Sequence, residues 1–291
     1  MKMQLCNDCP RKCNVTRADG NLGVCKMPRN LKLAKACLHY GEEPCISGKN
    51  GSGTIFFSGC SLKCVFCQNY EISHEGFGKE ITAARLAEIF RELENNGANN
   101  INLVSATHYI SAVKEALNLY RPKIPLVYNS SGYEDIKTIE EDIFDVYLFD
   151  LKFFSREKSE KYAKSPDYFD ISSNVIKKAY DIKGKPVLSR EGIMQSGIIV
   201  RHLILPQSTN DAIAIIDWLS ENTPGIYFSL MSQYLPMYKA EQFKELNRKI
   251  TKREYEKVLA ACADKNFEEI YIQSLDSATN EYIPDFDLTG V

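Results

Sequence analysis

The run Gly59-Cys60-Ser61-Leu62-Lys63-Cys64-Val65-Phe66-Cys67 puts three thiols on one short loop, directly after the apolar run Thr54-Ile55-Phe56-Phe57. A Cys-x3-Cys-x2-Cys spacing on a tight loop lets three thiolates each hold one iron of a cubane cluster. Such a cluster normally takes four cysteines, so three leave one iron open to a small molecule, as at any catalytic metal with an open position. Taken alone, the spacing also fits part of a zinc site.

With the apolar strand before it and the aromatic Phe66 before its last cysteine, this loop resembles that of the radical S-adenosylmethionine (SAM) superfamily. The resemblance implies a [4Fe–4S] cluster on Cys60, Cys64 and Cys67 whose open iron chelates the amino and carboxylate groups of SAM. One electron then splits the sulfonium, leaving methionine and a 5′-deoxyadenosyl radical that abstracts hydrogen from a substrate. It also implies an electron donor such as flavodoxin or ferredoxin. The difficult chemistry is the cofactors', and the protein orients and shields them.

Nine of the ten cysteines lie within the first 67 of 291 residues, unlike the spread cysteines of a short secreted disulfide scaffold. Clustered thiols then read as metal ligands. The net charge of −2 gives no reason to expect nucleic acid as a partner. No apolar run is long enough to span a bilayer, and Met1-Lys2-Met3-Gln4-Leu5-Cys6 shows no apolar signal region. The expectation is a cytoplasmic chain. Cys262 falls with Tyr255, Val258 and Leu259 on one helical face and reads as core.

Residues 1–50, rich in cysteine and turn residues, read as a small metal-stapled extension, with Gly48–Gly53 as a hinge into a main domain at 51–291. Cys6-x2-Cys9-Pro10-x2-Cys13, followed by Cys25, completes four thiolates, which suit either tetrahedral zinc or a second iron–sulfur cluster. Cys37 and Cys45 read as small buried residues.

Beyond residue 53 strand-like runs fall near 54–57, 101–105, 125–129, 145–151, 198–205, 226–231 and 269–273. Helical patterns lie between them, at about 82–95, at about 210–220 after Thr209-Asn210-Asp211 as cap candidates, and from a capping box at Thr251–Glu254. This alternation demands an α/β fold with a parallel sheet. The superfamily resemblance sharpens it to a partial (β/α)6-type, TIM-like barrel, whose chemistry sits at the carboxyl ends of its strands.

At those ends, Asn102, Ser105, Thr107 and His108 are candidates for the polar end of SAM, where many relatives carry a Gly-Gly-Glu segment that this chain lacks. The bland reading of Ser105 and Thr107 is strand termination and helix capping. Asn129 and Ser130 are similar to the Asn-Gly turn of glycyl-radical-enzyme activating enzymes. Asp150 and Lys152 share a face of their strand and are either a structural ion pair or site residues. The Asp150-Leu151-Lys152 match to pyruvate formate-lyase activating enzyme implies catalytic and SAM-contacting roles. Arg201 and His202 point to opposite faces, and His202 is the expected polar lining group, with a hydrogen-bonded core histidine as the alternative. Ser232, Gln233 and Tyr234 are further substrate-side candidates.

Cys6-x2-Cys9-Pro10-Arg11-x-Cys13, Gly23-Val24-Cys25, Glu42-Glu43-Pro44, Cys67-Gln68-Asn69, Asn100–Val104, Arg201-His202-Leu203 and Tyr282–Asp287 together resemble a pyruvate formate-lyase activating enzyme-like group of the superfamily. That resemblance implies hydrogen abstraction from a glycine of a glycyl radical enzyme or from a small molecule. A non-catalytic iron–sulfur or zinc redox sensor is the competing class.

Overall fold

The computed structural model describes residues 5–17, 20–279 and 283–291. The expectations placed on Met1–Gln4 and on Tyr282 lie outside them. Among the described residues the sheet contains β1 (Leu31–His39), β2 (Ser52–Phe57), β3 (Lys79–Ile81), β4 (Ile101–Val104), β5 (Leu126–Ser130), β6 (Val146–Asp150), β7 (Val187–Leu188), β8 (Met194–Leu203), β9 (Tyr227–Met231) and β10 (Glu269–Ile272). Its order is β10-β9-β8-β6-β5-β4-β2-β1-β3, with β7 beside β8. From β2 to β10 this path is parallel throughout. β1 and β3 close one edge antiparallel. The result is the α/β fold expected, an open, partial barrel.

The sheet separates two environments by the two-residue alternation of its strands. Ile55, Phe57, Leu103, Tyr128, Phe149, Val200 and Phe228 pack into the main core with the helices. Val127, Val146, Leu148, Ile199 and Tyr227 face the barrel interior around Cys45 and Ile46. Helices form where sequence chemistry starts them. Ala83–Asn95 is capped by the Thr82 side chain, which accepts from Arg85 N, and it buries Leu86, Ile89, Phe90 and Leu93. Thr251 and Glu254 form the capping box of Lys252–Ala261, and Cys262 is buried behind it.

Three local expectations give way. Leu31–His39 is a sheet strand, where little periodicity was expected before residue 50. A register shift between Leu33 and Lys35 breaks the alternation that would have shown a strand. Gly48–Gly53 is no hinge: Gly51, Ser52 and Gly53 are buried, and Gly53 N donates to Asn100 O. Helix Thr209–Asn222 takes Ser208 as its N-cap. Asp211 instead accepts from Phe154 N and Ser155 N at 2.9 and 2.8 Å, pinning the loop that follows Lys152.

The start of β2 has no room for a side chain. A Cβ on Gly53 would lie 2.8 Å from Asn100 O and 3.0 Å from Ala98 Cβ. Gly53→Ala is expected to cost about 1–3 kcal/mol through overpacking, seen as a lower urea midpoint at unchanged slope. A midpoint equal to that of the parent would show that this end of β2 yields freely.

Candidate active site

The loop of Cys60, Cys64 and Cys67 leaves the carboxyl end of β2 and is held by backbone hydrogen bonds on several sides. Gly59 N donates to Ile72 O, Val65 N to Tyr162 O, and Lys239 N to Val65 O, at 2.8–2.9 Å. Phe66 is buried with its ring centroid 6.0 Å from those of Phe153 and Tyr234, and so anchors the loop apolarly. Gly59 is required here: at φ 85° a Cβ would lie 2.9 Å from His108 Nε2 and closer still to Met27.

The three thiols open on one cavity of about 240 Å³. Among the described residues they are the cysteines on its wall, so the loop offers three ligands there and no fourth thiol. No group of three or more His, Cys, Asp and Glu side chains among the described residues is drawn into a metal-holding geometry. The donor set nevertheless fits a cluster with one open iron: three soft sulfurs, a shared opening and a cation nearby. Burial pushes all three thiols up, and Lys152 acts against burial at each of them.

Opposite the loop stands a network of charges. Arg201 donates from Nε to Asp150 Oδ1 at 2.7 Å, from Nη1 to Glu42 Oε2 at 2.8 Å and from Nη2 to Asn129 Oδ1 at 2.8 Å. Lys152 Nζ donates to the other Asp150 oxygen at 2.7 Å. Asn102 and Asn129 each donate to Glu42 Oε1 at 3.1 Å. Burial alone would raise the Asp150 carboxyl, but Arg201 and Lys152 outweigh it and hold Asp150 down at about 2. Burial would likewise discharge Arg201 and Lys152, and the carboxylates outweigh it in turn.

Of the residues singled out in the sequence, Cys60, Cys64, Phe66, Cys67, Ser105, Asn129, Ser130, Asp150, Lys152 and Gln233 line this cavity. Ser105 does so from a left-handed turn at φ 63°. Asn102 takes part through Glu42. Arg201, Gln68 and Asn69 also line it, whereas Thr107, His108, Ser232 and Tyr234 do not. Thr107 donates to the buried Glu134 at 2.7 Å. The His108 Nε2 lies 2.7 Å from Ser58 O, supporting the backbone just before the loop, and burial holds this imidazole neutral, its pKa near 3. Tyr234 donates to Leu246 O, and Ser232 to Ser274 O.

His202, expected to line the barrel, is a correction. Arg201 pairs in register with Asp150 across β6 and β8, so the two share the inner face. His202 turns into the helix layer with Nδ1 2.7 Å from Leu151 O. Glu42 and Glu43 were not foreseen as site residues. They follow β1 at the amino end of β2, and the Pro44–Ser47 helix carries Cys45 and Ile46 into the base of the barrel. Two adjacent acids before an apolar Pro-Cys-Ile turn were the available signal.

The amino-terminal thiols gather on the outside of the same loop. The Cys13 Sγ accepts from Val24 N at 3.4 Å, next to Cys25, and would crowd a Cβ on Gly23 at 2.9 Å. Cys6 and Cys25 lie close enough to Cys9, and Cys6 to Cys25, that negative charge on them adds to burial in pushing the Cys9 and Cys25 thiols up. Arg11, between Cys9 and Cys13, donates to Ser61 O within the Cys60–Cys67 loop at 2.9 Å. Arg17 donates to His108 O. Among the described residues no helix is long and apolar enough to cross a membrane.

Comparison with known proteins agrees with this geometry. A sequence profile described as Radical SAM superfamily matches residues 54–219. An uncharacterized protein, MJ0674, of Methanocaldococcus jannaschii is 32% identical over 278 residues, covering 91% of this chain and 76% of that protein. Among solved structures, Streptococcus suis SuiB bound to its precursor peptide SuiA superposes with a TM-score of 0.51 at 14% identity, covering 76% of this chain and 48% of SuiB. SuiB bound to S-adenosylmethionine gives 0.50 at 14% identity, covering 76% and 50%. The chain thus spans about half the length of these solved structures, and the likeness to them is one of fold.

Asp150 is the carboxylate both cations share. Asp150→Asn is expected to lower stability by about 3–5 kcal/mol near neutral pH, by stranding buried charge. Because the folded carboxyl is depressed from 3.8 to about 2, its contribution is present above about pH 4 and is lost as pH falls through about 2. The variant should lose that part of the acid limb. Urea denaturation at stepped pH measures both effects, and parent-like stability at pH 7 would contradict the assignment.

Proposed function

Because the chain belongs to the radical SAM superfamily, we propose that its barrel cavity cleaves SAM at a [4Fe–4S] cluster held by Cys60, Cys64 and Cys67 and directs the resulting radical to a substrate on the Asp150–Arg201 side. When bound and reduced, the cluster supplies the electron that divides SAM into methionine and a 5′-deoxyadenosyl radical. The observation that carries this reading is the shared cavity: the thiol loop and the Asp150, Lys152 and Arg201 network line the same space.

The residues of the chain divide the work. Phe66 and the loop's backbone bonds fix the ligand set. Ser105, Asn129 and Ser130 offer short polar groups to SAM from the ends of β4 and β5. Lys152 sits where a cation offsets the negative charge of thiolates and carboxylate together. Enclosure matters because a carbon radical in reach of water or stray side chains reacts unselectively. An external donor such as flavodoxin or ferredoxin would deliver the electron. Cys6, Cys9, Cys13 and Cys25 would hold a second metal, as tetrahedral zinc or as a further cluster, bracing the loop through Arg11.

A small polar molecule suits this cavity best, since Glu42, Glu43 and the Pro44–Ser47 helix close its floor. A glycine of a partner glycyl radical enzyme is the second reading. Asp150-Leu151-Lys152 favours it, and SuiB, of similar fold, is seen bound to a peptide.

Anaerobically reconstituted protein given dithionite and SAM is expected to release 5′-deoxyadenosine and methionine in equal amounts. Cys64→Ala should abolish both, a fall of more than about a hundredfold. Cleavage undiminished in Cys64→Ala would remove the loop from the chemistry, and no cleavage by the fully loaded parent would end the radical reading.

A further inference from the structure

Three carboxylates, Glu42, Glu43 and Asp150, meet two cations, Lys152 and Arg201, inside the barrel. Asp150 and Glu42 accept on both oxygens from these cations and from Asn102 and Asn129. Glu43 does not. Its side chain is 7% exposed, and Arg201 Nη1 approaches its Oε2 only to 3.9 Å. That oxygen has no hydrogen-bond partner although Glu43 lines the cavity. A buried acceptor left unpaired is costly.

The unpaired Glu43 oxygen is an acceptor, and with Glu43 ionised the charges sum to an excess of one carboxylate. The occupant that answers both conditions brings only donors and a positive charge. A primary ammonium does so from a single centre. A hydroxyl brings one donor, no charge and lone pairs of its own. Burial pushes the Glu43 carboxyl up and Glu42 adds to it, while Arg201 and a hydrogen bond with Ser229 oppose it; an ammonium alongside favours the ionised form.

We propose that Glu43, braced by Arg201, is the specificity-determining floor of the cavity and selects a small substrate carrying a primary ammonium group. What then happens to that substrate rests on the radical SAM reading above. The floor assignment rests on the unpaired Glu43 oxygen and the excess carboxylate alone.

Ethanolamine and ethylene glycol are matched probes, alike in size and differing by an amine for a hydroxyl. Each is titrated calorimetrically into anaerobically reconstituted protein loaded with SAM. Ethanolamine is expected to bind about tenfold more tightly than ethylene glycol, and Glu43→Gln should erase most of that preference. Equal affinity of the parent for both probes would overturn the proposal, as would a preference that survives in Glu43→Gln. A loss of SAM affinity in Glu43→Gln as large as the loss of ethanolamine affinity would also overturn it, assigning Glu43 to SAM. Release of 5′-deoxyadenosine by the same preparations is scored separately. Amine selectivity without cleavage sinks the radical reading and keeps the floor; cleavage without amine selectivity does the reverse.

Discussion

A guanidinium inside a parallel barrel organises this protein. Arg201 stands where a buried parallel strand should be apolar, and a buried cation persists only with carboxylates and hydrogen bonds around it. Its three nitrogens reach Asp150, Glu42 and Asn129. In doing so they tie β8 to β6, to β5 and to the segment that follows β1. The barrel floor is therefore a consequence of one side chain. Glu42 and Glu43 rise into the interior to meet Arg201, and Cys45 and Ile46 seal the base beneath them. Asp150, held ionised between Arg201 and Lys152, relays the network toward the thiol loop.

The loop is braced from the opposite side. Phe66 wedges it against Phe153 and Tyr234. His108 and Gly59 fit behind it too closely for any larger residue. Arg11 brings the cysteine-rich amino-terminal segment onto Ser61. Rigid support on one wall and a cross-linked charge network on the other leave a cavity whose shape is set before any ligand enters. Such preorganisation is what the control of a reactive intermediate requires.

Much of this was legible in the sequence because it is local. The three-cysteine spacing, the alternation of apolar strands with helical periodicity, and the Thr251–Glu254 capping box each declare themselves within a few residues. Asp150 and Lys152 were readable as a pair because a strand puts positions two apart on one face. What was not legible depends on register between distant segments. The sequence shows that Arg201 and His202 oppose each other; only the alignment of β8 with β6 decides that Arg201 faces inward. Thr107 and His108 lie just past β4, yet the turn at Ser105 carries them behind the sheet. The strand Leu31–His39 was hidden by its bulge and by the cysteines around it. Glu43 took on a role only once Arg201 was seen above it.

The central claim is that Cys60, Cys64 and Cys67 hold a SAM-binding iron–sulfur cluster distinct from any metal at the amino-terminal thiols. Iron and sulfide analysis with electron paramagnetic resonance, on anaerobically reconstituted parent and on the Cys60/Cys64/Cys67 triple alanine, tests it directly. The account predicts that the triple variant loses about four irons per chain, together with a reduced-cluster signal that shifts in the parent when SAM is added. Undiminished iron in the triple variant, or a parent signal indifferent to SAM, would contradict it.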